Sequence, residues 1–133
     1  MKIRLATAFA LIAAPAFAGD AAVGEKEFAK CKSCHGITAA DGTTIVKGGK
    51  TGPDLFGMIG KQVASVDGFK YGDSILAVGA AGTVWDEASL AAYMTDPVAW
   101  LKEVSGDSAA KSKMTFKLRA KAEDVAAYLA TMQ

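Results

Sequence analysis

The pattern of apolar positions changes character at residue 18. Before it, MKIRLATAFALIAAPAFA is apolar from Leu5 to Ala14 behind Lys2 and Arg4, breaks at Pro15, and ends Ala16-Phe17-Ala18. A basic start, a short apolar run and small residues at its end make a cleavable export signal, and the run is too short to span a bilayer comfortably. After it, apolar residues recur at helical spacing. Gly24 and Phe28 share one face of a first segment, Leu90, Tyr93 and Met94 one face of a middle segment, and Val125, Tyr128, Leu129 and Met132 one face of the last. With Asp20 and Asp86 as capping residues and Pro97 as a helix start, the pattern predicts helices near 20–33, 55–60, 70–79, 86–96, 97–104 and 120–131. The Gly-, Lys- and Ser-rich stretches 36–54, 61–69 and 105–119 are predicted loops. The expected architecture is all-α, with about five to six short helices in one domain over 19–133.

Charge narrows the function classes. Removing Lys2 and Arg4 with the signal leaves 13 basic against 14 acidic residues, so the mature chain is near neutral. A nucleic-acid binder is usually more basic. No later segment is apolar and long enough to cross a membrane.

The chain has two cysteines and one histidine, and all three fall in Cys31-Lys32-Ser33-Cys34-His35. A disulfide across two intervening residues closes a very small loop and adds little stability. A thioredoxin-like pair needs a thiolate at a helix N-terminus, whereas these cysteines end a helix, where the dipole disfavours one. A zinc site would need a fourth ligand, and the second half of any such motif is missing. C-x-x-C-H is also the attachment sequence for c-type haem, and this reading uses both sulfurs and the imidazole.

With His35 used, the sixth iron position is left to methionine, lysine, an N-terminal amine, or no ligand. Histidine with methionine gives an electron carrier of raised potential, because a soft thioether favours ferrous iron. Met132 and Met94 lie on apolar stripes, and Met58 follows Leu55-Phe56-Gly57 as core filler. Met114 stands in the polar stretch AAKSKMTFKLRAK, outside any apolar periodicity.

Six segments in order carry a family resemblance: GEKEFAKCKSCH at 24–35, KTGPDLFG at 50–57, FKYGDS at 69–74, TVWDEASLAAYMTDP at 83–97, SKMTFKL at 112–118 and EDVAAYL at 123–129. They resemble the class I c-type cytochromes, most closely the bacterial cytochrome c2 group, relatives of mitochondrial cytochrome c. Class II members carry C-x-x-C-H near the C-terminus, unlike this chain. The resemblance implies the cytochrome c class I fold around one haem c, with thioethers at Cys31 and Cys34 and axial bonds from His35 and Met114. It further implies that the Pro53 carbonyl accepts a hydrogen bond from His35 and that Tyr93 points its hydroxyl toward the Met114 sulfur. Tyr71, Trp85 and Ser112 would bond the haem propionates, and Met94 would line the pocket on the Met114 side, the runner-up ligand. Two positions depart from the family pattern: Asp54 replaces the usual asparagine, and Lys61 a frequent arginine, whose planar fork lysine lacks.

The function so implied is that of a soluble, monomeric, periplasmic electron shuttle, not an enzyme. Its partners would be a membrane quinol-oxidising complex of the cytochrome bc1 type and a photosynthetic reaction centre or terminal oxidase. They would dock at a haem edge ringed by Lys30, Lys32, Lys50, Lys111, Lys113 and Lys117. The competing reading is a haem protein with a labile or absent sixth ligand, acting as a gas sensor or weak peroxidase.

Overall fold

The computed structural model describes residues 19–133, and the export signal read at 1–18 lies outside the described residues. Five α-helices are present: α1 (Ala21–Glu27), α2 (Asp73–Ala80), α3 (Glu87–Thr95), α4 (Pro97–Ser105) and α5 (Ala122–Ala130). A two-stranded antiparallel sheet, β1 (Ile37–Thr38) with β2 (Thr44–Val46), lies between α1 and α2.

Short polar side chains set the starts of α1, α3 and α4. Asp20 accepts from the amides of Ala22 and Val23 at 2.9 and 3.2 Å. Asp86 and Ser89 form a reciprocal capping box, with the Ser89 amide 2.7 Å from the Asp86 carboxylate. Asp96 ends α3 and caps α4 through the Ala99 amide at 3.0 Å, with Pro97 supplying the preset first turn. Gly106, at φ 69°, closes α4 in a left-handed conformation.

The core is built where the first and last helices cross. A Cβ at Gly24 would overlap the Asp124 carbonyl, so glycine sets how closely α1 approaches α5. Beside it the Phe28 and Tyr128 rings meet at 5.6 Å. The Asp20 amide adds a hydrogen bond to the Asp124 carboxylate at 2.8 Å. Trp85, just before α3, stacks on Trp100 of α4 at 5.0 Å and 26°, with Tyr93 of α3 edge-on to Trp100 at 5.5 Å.

Three predicted features differ. The first helix does not run to residue 33. It tightens into a 3-10 turn at Phe28–Lys30, and Cys31 to His35 follow as turns, with the Cys34 and His35 amides both on the Cys31 carbonyl. The segment 55–60 is not helical. Gly57 sits at φ 65°, and its amide donates out of the segment to the Met132 carbonyl at 2.7 Å. The stretch 36–54, expected as loop, contains β1 and β2, whose register of Ile37 with Val46 and Thr38 with Thr44 is broken by a bulge.

Candidate haem site

The helices enclose a cleft of about 370 Å³ with apolar walls that include Ile75, Leu90, Leu101 and Leu129. All nine residues singled out from the sequence line it: Cys31, Cys34, His35, Pro53, Tyr71, Trp85, Tyr93, Ser112 and Met114. They come from five separate stretches of chain, so the fold, not local sequence, assembles the site.

CKSCH forms one wall, and 49–55 wraps over it. The Gly49 amide donates to the Lys32 carbonyl and the Gly52 amide to the Cys34 carbonyl, each at 2.8 Å. This places the Pro53 carbonyl 2.8 Å from His35 Nδ1, where it accepts the ring proton. Nδ1 is thereby the protonated nitrogen, and Nε2 keeps its lone pair. A Cβ at Gly52 would overlap the imidazole, so glycine is required for the ring to lie there. Burial lowers the His35 pKa against the opposing pulls of the Pro53 hydrogen bond and the Asp54 charge, which keeps the imidazole neutral and able to ligate.

Both cysteines are free thiols, Cys31 half-buried and Cys34 exposed. Burial, then the neighbouring Cys34, pushes the Cys31 thiol up to about 11. A thiol held in its neutral form in this way lacks the lowered pKa of a thioredoxin-like nucleophile. Among the described residues no three His, Cys, Asp or Glu side chains converge as a metal cluster. The spacing of the two cysteines, with His35 directly after the second, is that of a haem-attachment sequence.

The methionines separate by environment. Met58 and Met94 are buried in the hydrophobic core at 5% and 6% exposure, and Met132 packs against it. Met114 is half-buried, lies in no helix or strand, and lines the cleft without joining the core. The Leu118 amide, on the Met94 carbonyl at 2.8 Å, holds the far end of its loop to α3.

The polar groups around the cleft are partly engaged. The Tyr71 hydroxyl accepts from the Val66 amide at 3.1 Å, which leaves its own proton to donate. The Tyr93 hydroxyl lies 3.5 Å from the Ser112 hydroxyl. Trp85 is buried and stacked; its backbone pairs with Gly60 and Lys61, while its indole makes no hydrogen bond among the described residues. Lys61 reaches the Phe56 carbonyl at 3.3 Å.

All six surface lysines named from the sequence are exposed. Two are already paired within the chain, Lys30 with Glu27 at 2.6 Å and Lys117 with Asp96 at 2.7 Å. Lys113 donates to the Lys70 carbonyl at 3.0 Å. Sequence reasoning missed Gly52 as the bed of the His35 ring and Lys113 and Lys117 as fasteners of the Met114 loop. The glycine in KTGPD was the one available signal.

An apolar-walled cleft, a neutral imidazole with Nε2 free, a thioether sulfur outside the core and two thiols on the same cleft fit a covalently attached haem. No family model matches the chain. Cytochrome c-550 of Paracoccus versutus is 60% identical over 136 residues, covering 98% of this chain and 88% of the relative. Cytochrome c2 of Rhodobacter capsulatus is 58% identical over 135 residues, covering 99% and 98%. The X-ray structure of ferric cytochrome c-550 from Paracoccus versutus superposes with a TM-score of 0.84 at 61% identity, covering 86% of this chain and 98% of that one. The Rhodobacter capsulatus cytochrome c2 structure does so with 0.84 at 57% identity, covering 85% and 97%. The chain therefore belongs to the cytochrome c2/c-550 family of class I c-type cytochromes, electron carriers rather than enzymes, whose cofactor is a covalent haem c bound at the C-x-x-C-H sequence found here at Cys31, Cys34 and His35.

Proposed function

We propose that the mature chain, residues 19–133, is a soluble periplasmic shuttle for single electrons. It runs between a bc1-type quinol-oxidising complex and a photosynthetic reaction centre or terminal oxidase. The observation that carries the ligand assignment is Met114, the methionine on the cleft that the core does not use. Bound haem supplies a one-electron ferric/ferrous couple at the iron.

The chain's own residues do the rest. Cys31 and Cys34 would anchor the group covalently, which would keep it on the chain even if a protein ligand let go of the iron. His35 presents Nε2, oriented by Pro53 and bedded on Gly52. Met114 would supply the thioether sulfur, and an iron held by both His35 and Met114 would have no position left for substrate. Tyr71 and Ser112 offer hydroxyl protons to the propionates, and Trp85 its indole N–H. Tyr93, placed beside Ser112, serves the Met114 side of the cleft. Lys32, Lys50 and Lys111, exposed and without an ion pair among the described residues, form the free part of the basic rim that steers an acidic partner.

The proposed export and cleavage after Ala18 rest on the basic, apolar and small-residue pattern of residues 1–18.

The test is the visible spectrum of the purified mature protein, ferric and then ferrous. A weak long-wavelength ferric band, present in the wild type and absent in Met114→Ala, is the expected result. A c-type spectrum without that band, together with ready carbon monoxide binding, would move the gas-sensor or peroxidase reading ahead.

A further inference from the structure

The loop that orients His35 carries a fixed negative charge. Asp54 follows Pro53 directly and is half-buried. Its Oδ1 accepts from the Thr38 amide at 3.1 Å and the Phe56 amide at 2.9 Å, so the carboxylate is tied to β1 on one side and to its own loop on the other. Both hydrogen bonds fall on a single oxygen. No lysine or arginine lies within ion-pairing distance of either oxygen among the described residues. Lys61, whose ammonium reaches this loop, donates to the Phe56 carbonyl instead. The backbone amides need only an acceptor, which an asparagine oxygen would supply as well. The charge itself is not required by the loop geometry.

That charge stands one residue from the carbonyl that holds the imidazole. By Coulomb's law a negative charge so placed favours positive charge at the centre His35 belongs to. A half-buried, unpaired charge is screened less than an exposed one.

We propose that Asp54 tunes the redox potential of this electron carrier, its carboxylate favouring the oxidised, more positive state of the centre held by His35 and so weakening its hold on an electron. The proposal rests on His35 being an iron ligand, as read above. Asp54 touches neither the iron nor its ligand atom and acts through the field alone.

The experiment is a spectroscopic redox titration of three holoproteins: wild type, Asp54→Asn and Asp54→Ala. Asp54→Asn keeps the acceptor and removes the charge. Its equilibrium constant for one-electron reduction should rise at least about threefold, roughly 28 mV at 59 mV per tenfold for one electron. The rise should shrink as salt is added. Asp54→Ala should show a similar rise and, in addition, a lower denaturation midpoint from the two lost hydrogen bonds. An unchanged or lowered potential in Asp54→Asn overturns the proposal. So does a shift confined to Asp54→Ala, or loss of the wild-type visible spectrum in Asp54→Asn, since either would make the role one of geometry. The wild-type spectrum from the same titration reports the ligand set separately, so a failed ligand assignment is distinguishable from a failed charge effect.

Discussion

Gly52 lies so close to the His35 imidazole that a Cβ on it would overlap the ring. On the same short stretch the Pro53 carbonyl holds Nδ1 at 2.8 Å. Two neighbouring backbone groups therefore fix the ring, one by contact and one by hydrogen bond. Gly52→Ala should displace the imidazole or the loop, with an overpacking cost of about 1–3 kcal/mol. The expected outcome is a lower yield of haem-loaded protein and a weakened low-spin spectrum, read by absorbance per mole of polypeptide. A wild-type yield and spectrum would show that the loop can yield without cost.

The crossing of α1 and α5 depends on the missing side chain at Gly24. Gly24→Ala would drive a Cβ into the backbone of Asp124, which cannot rotate away. The holoprotein should lose about 1–3 kcal/mol. In guanidinium titration this appears as a lower midpoint with an unchanged slope. The visible spectrum below the transition should stay as in the wild type, because neither Gly24 nor Asp124 lines the cleft.

Acid stability should report Asp96. Its carboxyl is held below the usual range by Lys117 first and by the Ala99 amide next. The folded state therefore binds a proton less readily than the unfolded chain, and the unfolded chain binds more protons as pH falls. Stability from this group is complete above the ordinary carboxylate range, roughly pH 4, and is lost as pH drops through the lower folded value. Asp96→Asn keeps a capping oxygen and removes the titration. Its loss of stability on acidification should be shallower than the wild type's in denaturation midpoints measured from pH 7 to pH 2. Parallel profiles would show that the Lys117 pair adds nothing.

Removing the cofactor should remove the fold. The cleft walls, including Leu90, Leu101 and Leu129, belong to the same core that holds the helices together. The Cys31→Ala/Cys34→Ala chain, made without haem, should lack a cooperative thermal transition. A sharp transition by circular dichroism would contradict this.

Salt should slow electron transfer to an acidic partner, since the attraction is between exposed charges. The effect should weaken more in Lys32→Ala or Lys111→Ala than in Lys30→Ala, because Lys30 is already paired with Glu27. Stopped-flow rates against ionic strength give the comparison, and equal effects from all three would dissolve the distinction.

Much of the helical frame was legible because its signals are local. Asp86 before Glu87, and Asp96 before Pro97, mark helix starts through bonds to amides two or three residues on. The segment 55–60 misled because its apolar residues point to a core, while Gly57 takes a left-handed turn and donates to Met132 at the other end of the chain. The strands Ile37–Thr38 and Thr44–Val46 are too short to show alternation. CKSCH named its own chemistry, and Met114 stood out by its polar surroundings. The bed at Gly52, the stack of Trp85 on Trp100 and the ties at Lys113 and Lys117 are relations between distant segments, which no local pattern encodes.

The bond between Asp20 and Asp124 joins positions 104 residues apart. Such a contact has a consequence in time. A chain delivered from its N-terminus presents Cys31 and Cys34 early and α5 last. Until α5 arrives, Gly24 and Phe28 have no surface to pack on, and Leu129 is missing from the cleft wall. The contact that closes α1 on α5 therefore has to wait for the last residues of the chain.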